Sequence, residues 1–311
     1  MSDKPFDNLI GQEGPKRKLK FYLETYKKTK SFPFLNFVGA AGLGKTRFVR
    51  ELSQYITDAD GNKRPFIEIN CSTIKSATQF FEQVFITMIH NQEVTVLFDE
   101  AHMLPKDLVM AFLTVFNTEN GHLRSFNYKD SVLDFDFSKQ AFFFATTESH
   151  LIFKPLRDRL TVVDFTDYSK NELARIFKSY LPNISFEDAA LEILAETSRG
   201  NARNCVLRAK EVEAYCARGD VSRFTVDDAA EVCKILDILP HGLNKIEMSI
   251  LQILRQNGRC TLAMLSAKTG LSRSAIQRDH EAHLMKLGLM NIDGLRGITL
   301  KGCKVVDTYK S

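Results

Sequence analysis

Gly39-Ala40-Ala41-Gly42-Leu43-Gly44-Lys45-Thr46 has the spacing GxxxxGKT. Glycines at these places let backbone N–H groups, those of Gly42, Leu43 and Gly44 among them, curl around phosphate oxygens with no Cβ in the way. Lys45 is placed to reach the outer phosphates, and the Thr46 hydroxyl to ligate Mg²⁺. A second set is Asp99-Glu100, at the end of the apolar run Val94–Phe98. Asp99 would sit near the metal, and Glu100 would polarise the water that attacks a γ-phosphate. Thr146 and Thr147 end another apolar run, with hydroxyls near the expected γ-phosphate. The chemistry these residues fit is Mg²⁺-dependent hydrolysis of ATP. Asp99-Glu100-Ala101-His102 also spells the DEAH box of a large helicase superfamily. That assignment fails because such helicases need two recombinase-like domains, and too little chain follows. His102 reads as a structural or signalling neighbour.

These residues need elements to position them. Phe34–Val38 reads as a strand entering the glycine loop, and Arg47–Ile56 as the helix leaving it, whose N-terminus adds partial positive charge at the phosphates. Pro65–Asn70, Ala141–Thr147 and Val162–Phe165 read as further strands, Pro15–Lys28, Ser76–His90 and Asp107–Glu119 as helices. The stripe Phe80, Phe81, Val84, Phe85 and Met88 reads as core. Residues 1–8 read as polar and loose. Gly121–Phe137 alternates like a hairpin around Asn127–Asp130, a partner or DNA contact or a plain structural hairpin. The βαβ alternation implies an α/β fold with a parallel sheet and helices on both faces, over residues 1–166. Ligands in such sheets bind beyond the carboxyl ends of the strands. From Tyr168 to Asp237 there is no strand pattern, so residues 167–238 are expected to be an all-α domain of four helices. Residues 239–311 follow the Leu239-Pro240-His241-Gly242 boundary. They read as helices Asn244–Gln256, Leu262–Lys268 and Ser272–Leu287, the last capped by Ser272, then short strands over Leu289–Lys301. That order is a winged-helix pattern. Arg273, Arg278, Arg296, Lys301 and Lys304 could meet DNA phosphates, and a winged helix can also bind protein.

Composition sets the class. With 44% hydrophobic and 26% charged residues the chain is an ordinary globular protein. No apolar run approaches the roughly 18–20 residues of a membrane span, and no signal-peptide pattern opens the chain. The expected location is the cytoplasm, of a bacterium or of an infected host. The six cysteines are scattered without a CxxC pair, so buried free thiols are expected rather than disulfides or zinc. Net charge is +4, yet residues 239–311 carry eleven Lys+Arg against five Asp+Glu. A basic tail on a slightly acidic body points to a polyanion.

From Phe6 to Lys304 the chain resembles the RuvB family, the AAA+ motors that drive branch migration of Holliday junctions. Ile10-Gly11-Gln12-Glu13 resembles that family's adenine-side segment, which assigns Ile10 to the nucleotide. Gly39–Thr46 matches Walker A, with Ala-Ala where the family usually has Pro-Pro, and Asp99-Glu100 matches Walker B. Ala145-Thr146-Thr147 matches the sensor strand, making Thr147 the sensor. Pro155–Arg159 matches the arginine-finger segment, making Arg159 the finger and Arg157 its flanking arginine. Asp167-Tyr168-Ser169 resembles the start of the lid, with Tyr168 near the nucleotide. Arg199-Gly200-Asn201-Ala202-Arg203 resembles the second-sensor motif, placing Arg203 on the γ-phosphate side. Gly294–Thr299 resembles the DNA-contacting wing. Two departures stand out: Glu148 replaces an arginine, and the hairpin tip Ser125–Asp130 is more polar than the apolar tip that docks RuvA.

The resemblance implies an ATP-driven motor on branched or duplex DNA, working as a ring taken to be a hexamer. Arg159 would reach the neighbouring subunit's site, and lid rotation would move the winged helix along DNA. A RuvA-like partner is implied by the family and opposed by the polar tip. Competing readings are an AAA+ helicase or clamp loader, which share the ATPase core, and an ATP-regulated winged-helix switch. The last lacks the GAFTGA loop of AAA+ transcription activators.

Overall fold

The apolar runs become neighbouring parallel strands. In chain order these are β1 (Leu35–Val38), β2 (Phe66–Asn70), β3 (Val94–Asp99), a hairpin of β4 (Leu123–Tyr128) and β5 (Ser131–Asp136), then β6 (Gln140–Thr146) and β7 (Thr161–Asp164). The computed structural model describes residues 4–116 and 121–310, the Lys310 side chain excepted. Five strands form one sheet in the order β2-β3-β6-β1-β7, every pair parallel. β6 is buried along its whole length and β3 nearly so. Strands covered on both faces read as continuous apolar runs rather than alternating ones, which is why both were legible.

Phenylalanine fills one side of this sheet. Phe98 is fully buried, with ring contacts to Phe80, Phe112, Phe142 and Phe144 at centroid distances of 5.8, 5.3, 6.1 and 5.1 Å. Phe80, Phe81 and Phe85 of the expected stripe join this core, with Val84 packed against it, from a helix of Ala77–Phe80 that continues as π-helical Phe81–Ile89; Met88 corrects the expectation, for it lies exposed on that helix. The hairpin packs onto it: Phe126 stacks on Phe81 at 5.2 Å and Phe135 on Phe85 at 4.1 Å. Its tip is tied to the same helix, where Glu82 receives Lys129 and the Tyr128 hydroxyl. Phe6 corrects the expectation of a loose start, for it is wholly buried and stacks on Phe48 at 6.1 Å. The helix expected over 107–119 runs over Lys106–Val115, and residues 117–119 lie outside the described part.

Chain contacts define two units, Met1–Tyr168 with Asn201–Arg203, and Ser169–Gly200 with Asn204–Ser311. The second contains helices Lys170–Tyr180, Asp188–Thr197, most of Ala202–Gly219, and Val226–Ile235. Serine and threonine capping boxes start the first and last of these. This region is not free of strands: Ser185–Phe186 and Arg223–Phe224 form a short parallel pair, held by Phe186 against Phe224 at 5.4 Å. Two-residue strands are too short to show alternation in sequence.

The last segment has helices Lys245–Asn257 and Leu262–Thr269, and a third running from Arg273 to Lys286 through a π-helical stretch, capped by Ser272 as expected. The wing is Met290–Asp293 and Leu295–Ile298. A further helix, Leu300–Lys310, replaces the end of the expected strand region. Gly302 lets it seat, because a Cβ there would meet the Leu289 carbonyl and Ile298. Glu247, fully buried, takes two bonds from Arg199 at 2.9 and 2.8 Å, and Arg199 also donates to the Gly242 carbonyl. A buried ion pair of this kind persists only when its remaining donors and acceptors are filled, as they are here by Gly242 and the Asn244 N-cap.

Two stability outcomes follow. Phe98→Ala should cost about 3–5 kcal/mol in denaturant unfolding, because four ring neighbours cannot all close the gap; a cost below about 1 kcal/mol contradicts that packing. Burial, with Arg199 nearby, pushes the His283 imidazole down to about 4. Its folded pKa lies below the unfolded value of 6.5, so the unfolded chain binds the extra proton between these pH values. Stability should therefore fall as pH drops from 6.5 towards 4, and His283→Gln should flatten that part of the profile.

Candidate active site

Register places the chemistry on one edge of the sheet. Val38 lies opposite Thr146 and Phe98 opposite Phe144, so the phosphate loop after β1, Asp99 at the end of β3 and the threonines ending β6 emerge together. Gly42 and Gly44 have φ of 79° and 94°, a region that side chains with a Cβ disfavour. Three loop carbonyls are occupied from outside: Asn201 Nδ2 donates to Ala41 at 2.6 Å, the Arg203 N–H to Gly42 at 3.1 Å, and the Tyr168 hydroxyl to Leu43 at 3.1 Å. A Cβ on Gly42 would run into the Asn201 carboxamide.

Lys45 is buried, and its Nζ donates to the Gly39 and Ala40 carbonyls at 2.7 and 3.0 Å. Burial lowers its pKa, the charges of Glu100 and Asp99 oppose that, and Arg203 adds to it. Thr46 Oγ1 donates to Asp99 Oδ2 at 3.0 Å. A hydroxyl and a carboxylate this close form a hard-oxygen pair that suits Mg²⁺, which takes one or two carboxylates and completes its shell with water and phosphate. Glu100 leaves β3 with φ of 53°, and its Oε2 accepts the Thr147 hydroxyl at 3.3 Å. The loop, Lys45, Thr46, Asp99, Glu100, Thr147, Tyr168 and Arg203 are therefore one constellation.

Arg159 is not part of it. It precedes β7, whose Thr161 lies opposite Leu35 at the start of β1, whereas the phosphate loop follows the end of β1. Its Nη1 donates to the Pro155 carbonyl at 2.7 Å, and it lines a cavity of about 420 Å³ with Phe34, Phe137 and Thr161. Ile10 is half-buried, and its segment is anchored by the next residue but one. Gln12 bonds the Thr166 main chain in both directions, at 2.5 and 3.2 Å.

The winged helix changes several expectations. Arg273 and Arg278 are exposed on the third helix, Arg278 beside Asp279 at 2.8 Å. Arg296 is instead clamped on Glu281 at 2.8 and 3.3 Å, with side chains only 12% and 4% exposed, so it serves the fold rather than a phosphate. Lys301 stands on the last helix, not on the wing, and donates to the Leu287 carbonyl at 2.9 Å. Lys304 is exposed on that helix. All six cysteines are free, four of them buried.

Four contributors are not visible from the sequence alone. Gln12 and Asn201 lay inside motifs already noted, but only a neighbour in each had been given a role. His102 and Glu148 lie 3.4 Å apart beside Glu100, a pairing that no local sequence spacing announces.

Residues 35–168 match the family model of the ATPases associated with various cellular activities, and residues 243–278 the winged helix-turn-helix DNA-binding model. The Holliday junction branch migration complex subunit RuvB of Thermotoga maritima is 26% identical over 297 residues, covering 92% of this chain and 86% of that protein. RuvB of Campylobacter fetus is 26% identical over 295 residues, with coverages of 91% and 82%. The solved RuvB motor of T. maritima superposes with a TM-score of 0.76 at 23% identity, covering 98% and 97% of the two chains. The Aeropyrum pernix ORC2 protein shares the fold more distantly, with a TM-score of 0.57 at 11% identity. No helix among the described residues is long and apolar enough to cross a membrane. Sheet order, phosphate loop and near full-length similarity agree: the chain is a divergent RuvB-like AAA+ ATPase with a C-terminal winged helix.

Proposed function

We propose that this protein is an ATP-driven DNA motor acting in recombination, repair or replication in the cytoplasm, in the manner of the RuvB proteins it is similar to. Its parts are an α/β ATPase domain (1–166), a helical lid (167–238) and a winged helix (239–311). The observation that carries the reading is a division of the site. Loop, acid and base share one edge of the sheet, while Arg159 stands at the other end of the strands. One subunit then supplies a pocket, and a neighbour supplies the finger.

Lys45 and the loop N–H groups hold the phosphates of ATP, and Ile10 and Tyr168 flank the nucleotide. Thr46 and Asp99 hold Mg²⁺, which when bound neutralises charge on the phosphate oxygens. Glu100 takes a proton from the attacking water, and Thr147 and Arg203 read the γ-phosphate. Arg159 of an adjacent copy stabilises the charge that develops in the transition state, a contribution of about 10³–10⁵ in rate. The assembly is a closed ring, a hexamer. Arg273 and Arg278 supply phosphate contacts on DNA. The hairpin tip favours a motor without a RuvA-like partner, because Lys129 and Tyr128 are held on Glu82 rather than offered as an apolar knob. The same feature favours a loader as the second reading.

Glu100→Gln should bind ATP with nearly unchanged affinity and lose about 10²–10⁴ in turnover, whereas Lys45→Ala should weaken binding itself; equal loss of binding in both contradicts these roles. Arg159→Ala alone should bind ATP and hydrolyse it about 10³-fold more slowly. Mixed with Lys45→Ala, which retains its finger, it should recover part of the turnover. Normal turnover by Arg159→Ala alone overturns the shared site. Arg273→Ala should reduce the log–log salt slope of DNA binding by about 0.9, read by anisotropy on duplex and four-way DNA.

A further inference from the structure

We infer that Glu148 is a positioning residue for hydrolysis: through His102 it keeps the Glu100 carboxylate free to accept a proton. The inference rests on the reading of Glu100 as the general base. His102 is largely buried and lies between two carboxylates, with Nε2 3.4 Å from Glu148 Oε2 and Nδ1 3.5 Å from Glu100 Oε2. Nδ1 is also 2.9 Å from Thr146 Oγ1.

Thr146 decides which ring nitrogen carries the proton. Its hydroxyl oxygen accepts the Glu148 N–H at 3.0 Å, and the residue is wholly buried, so the hydroxyl proton needs an acceptor within the protein. Among the described residues Nδ1, at 2.9 Å, is the acceptor in reach. The ring proton therefore sits on Nε2, and the Glu148 carboxylate receives it. In this tautomer His102 gives Glu100 no hydrogen bond, and Oε2 keeps only the longer contact from Thr147. With the other tautomer, an Nδ1–H would face Glu100 Oε2 across 3.5 Å and occupy the oxygen that has to receive the proton of the attacking water.

Glu148 is thus a lock on the tautomer. A side chain that only donates, such as the arginine found here in the family this chain resembles, could not receive Nε2–H. The lock acts on the chemical step and not on nucleotide affinity, since neither His102 nor Glu148 bonds the phosphate loop in the contacts described above.

The test measures kcat, KM and ATP binding for full-length Glu148→Gln, Glu148→Ala and Glu148→Arg. Arginine should lower kcat roughly tenfold, a fraction of what a general base contributes, and alanine by less. Glutamine, whose amide oxygen still accepts Nε2–H, should restore most of the loss seen with alanine. KM and ATP affinity should stay within about twofold throughout. In a His102→Ala background, whose folding is checked by thermal melting, Glu148→Arg should have no further effect. A flat series, or an arginine effect that persists without His102, overturns the proposal. Glu100→Gln separates the two failures. If it keeps normal turnover, the base assignment falls and takes this inference with it. If it is inactive while the Glu148 series is flat, only the inference falls.

Discussion

The parallel register of β1, β3 and β6 is the constraint on which the rest depends. Pairing Val38 with Thr146 and Phe98 with Phe144 sends a phosphate loop, an acid–base pair and two hydroxyls out of the same sheet edge. The phenylalanine packing behind Phe98 fixes that register, since a slip of one residue in a strand would turn its side chains to the opposite face. Thr46 and Asp99 come within 3.0 Å only because two strands separated by β6 end at the same level. The same register holds Arg159 away, at the start of β7.

A five-residue stretch does a second job. Asn201 and Arg203 bond carbonyls of the phosphate loop, and two residues earlier Arg199 grips Glu247 and the Gly242 carbonyl. Arg199 and Gly200 both have positive φ, 55° and 76°, so the backbone turns sharply between the two sets of bonds.

Much of this was legible because each signal was local. The glycine spacing of 39–46, the apolar runs ending at Asp99 and Thr146, and the Ser272 cap all depend on neighbours in sequence. What stayed hidden depends on partners far along the chain. Arg296 reads as a free cation until Glu281 is found beside it, and Gln12 reads as a loop residue until Thr166 closes on its amide. Phe6 looked like part of a polar end, yet burial against Phe48 outweighs the composition around it. The helix Leu300–Lys310 was masked by Gly302, a residue disfavoured in helices, whose small size is what lets the helix pack on Leu289.

The central claim is that ATP hydrolysis at this site is turned into movement on DNA. The most direct test follows separation of a labelled four-way DNA junction by the purified protein with ATP, ADP or a non-hydrolysable analogue. The account predicts junction separation with ATP alone, at a rate that rises with ATP turnover. DNA-stimulated ATP hydrolysis that leaves the junction intact would contradict it and assign the protein to the loaders.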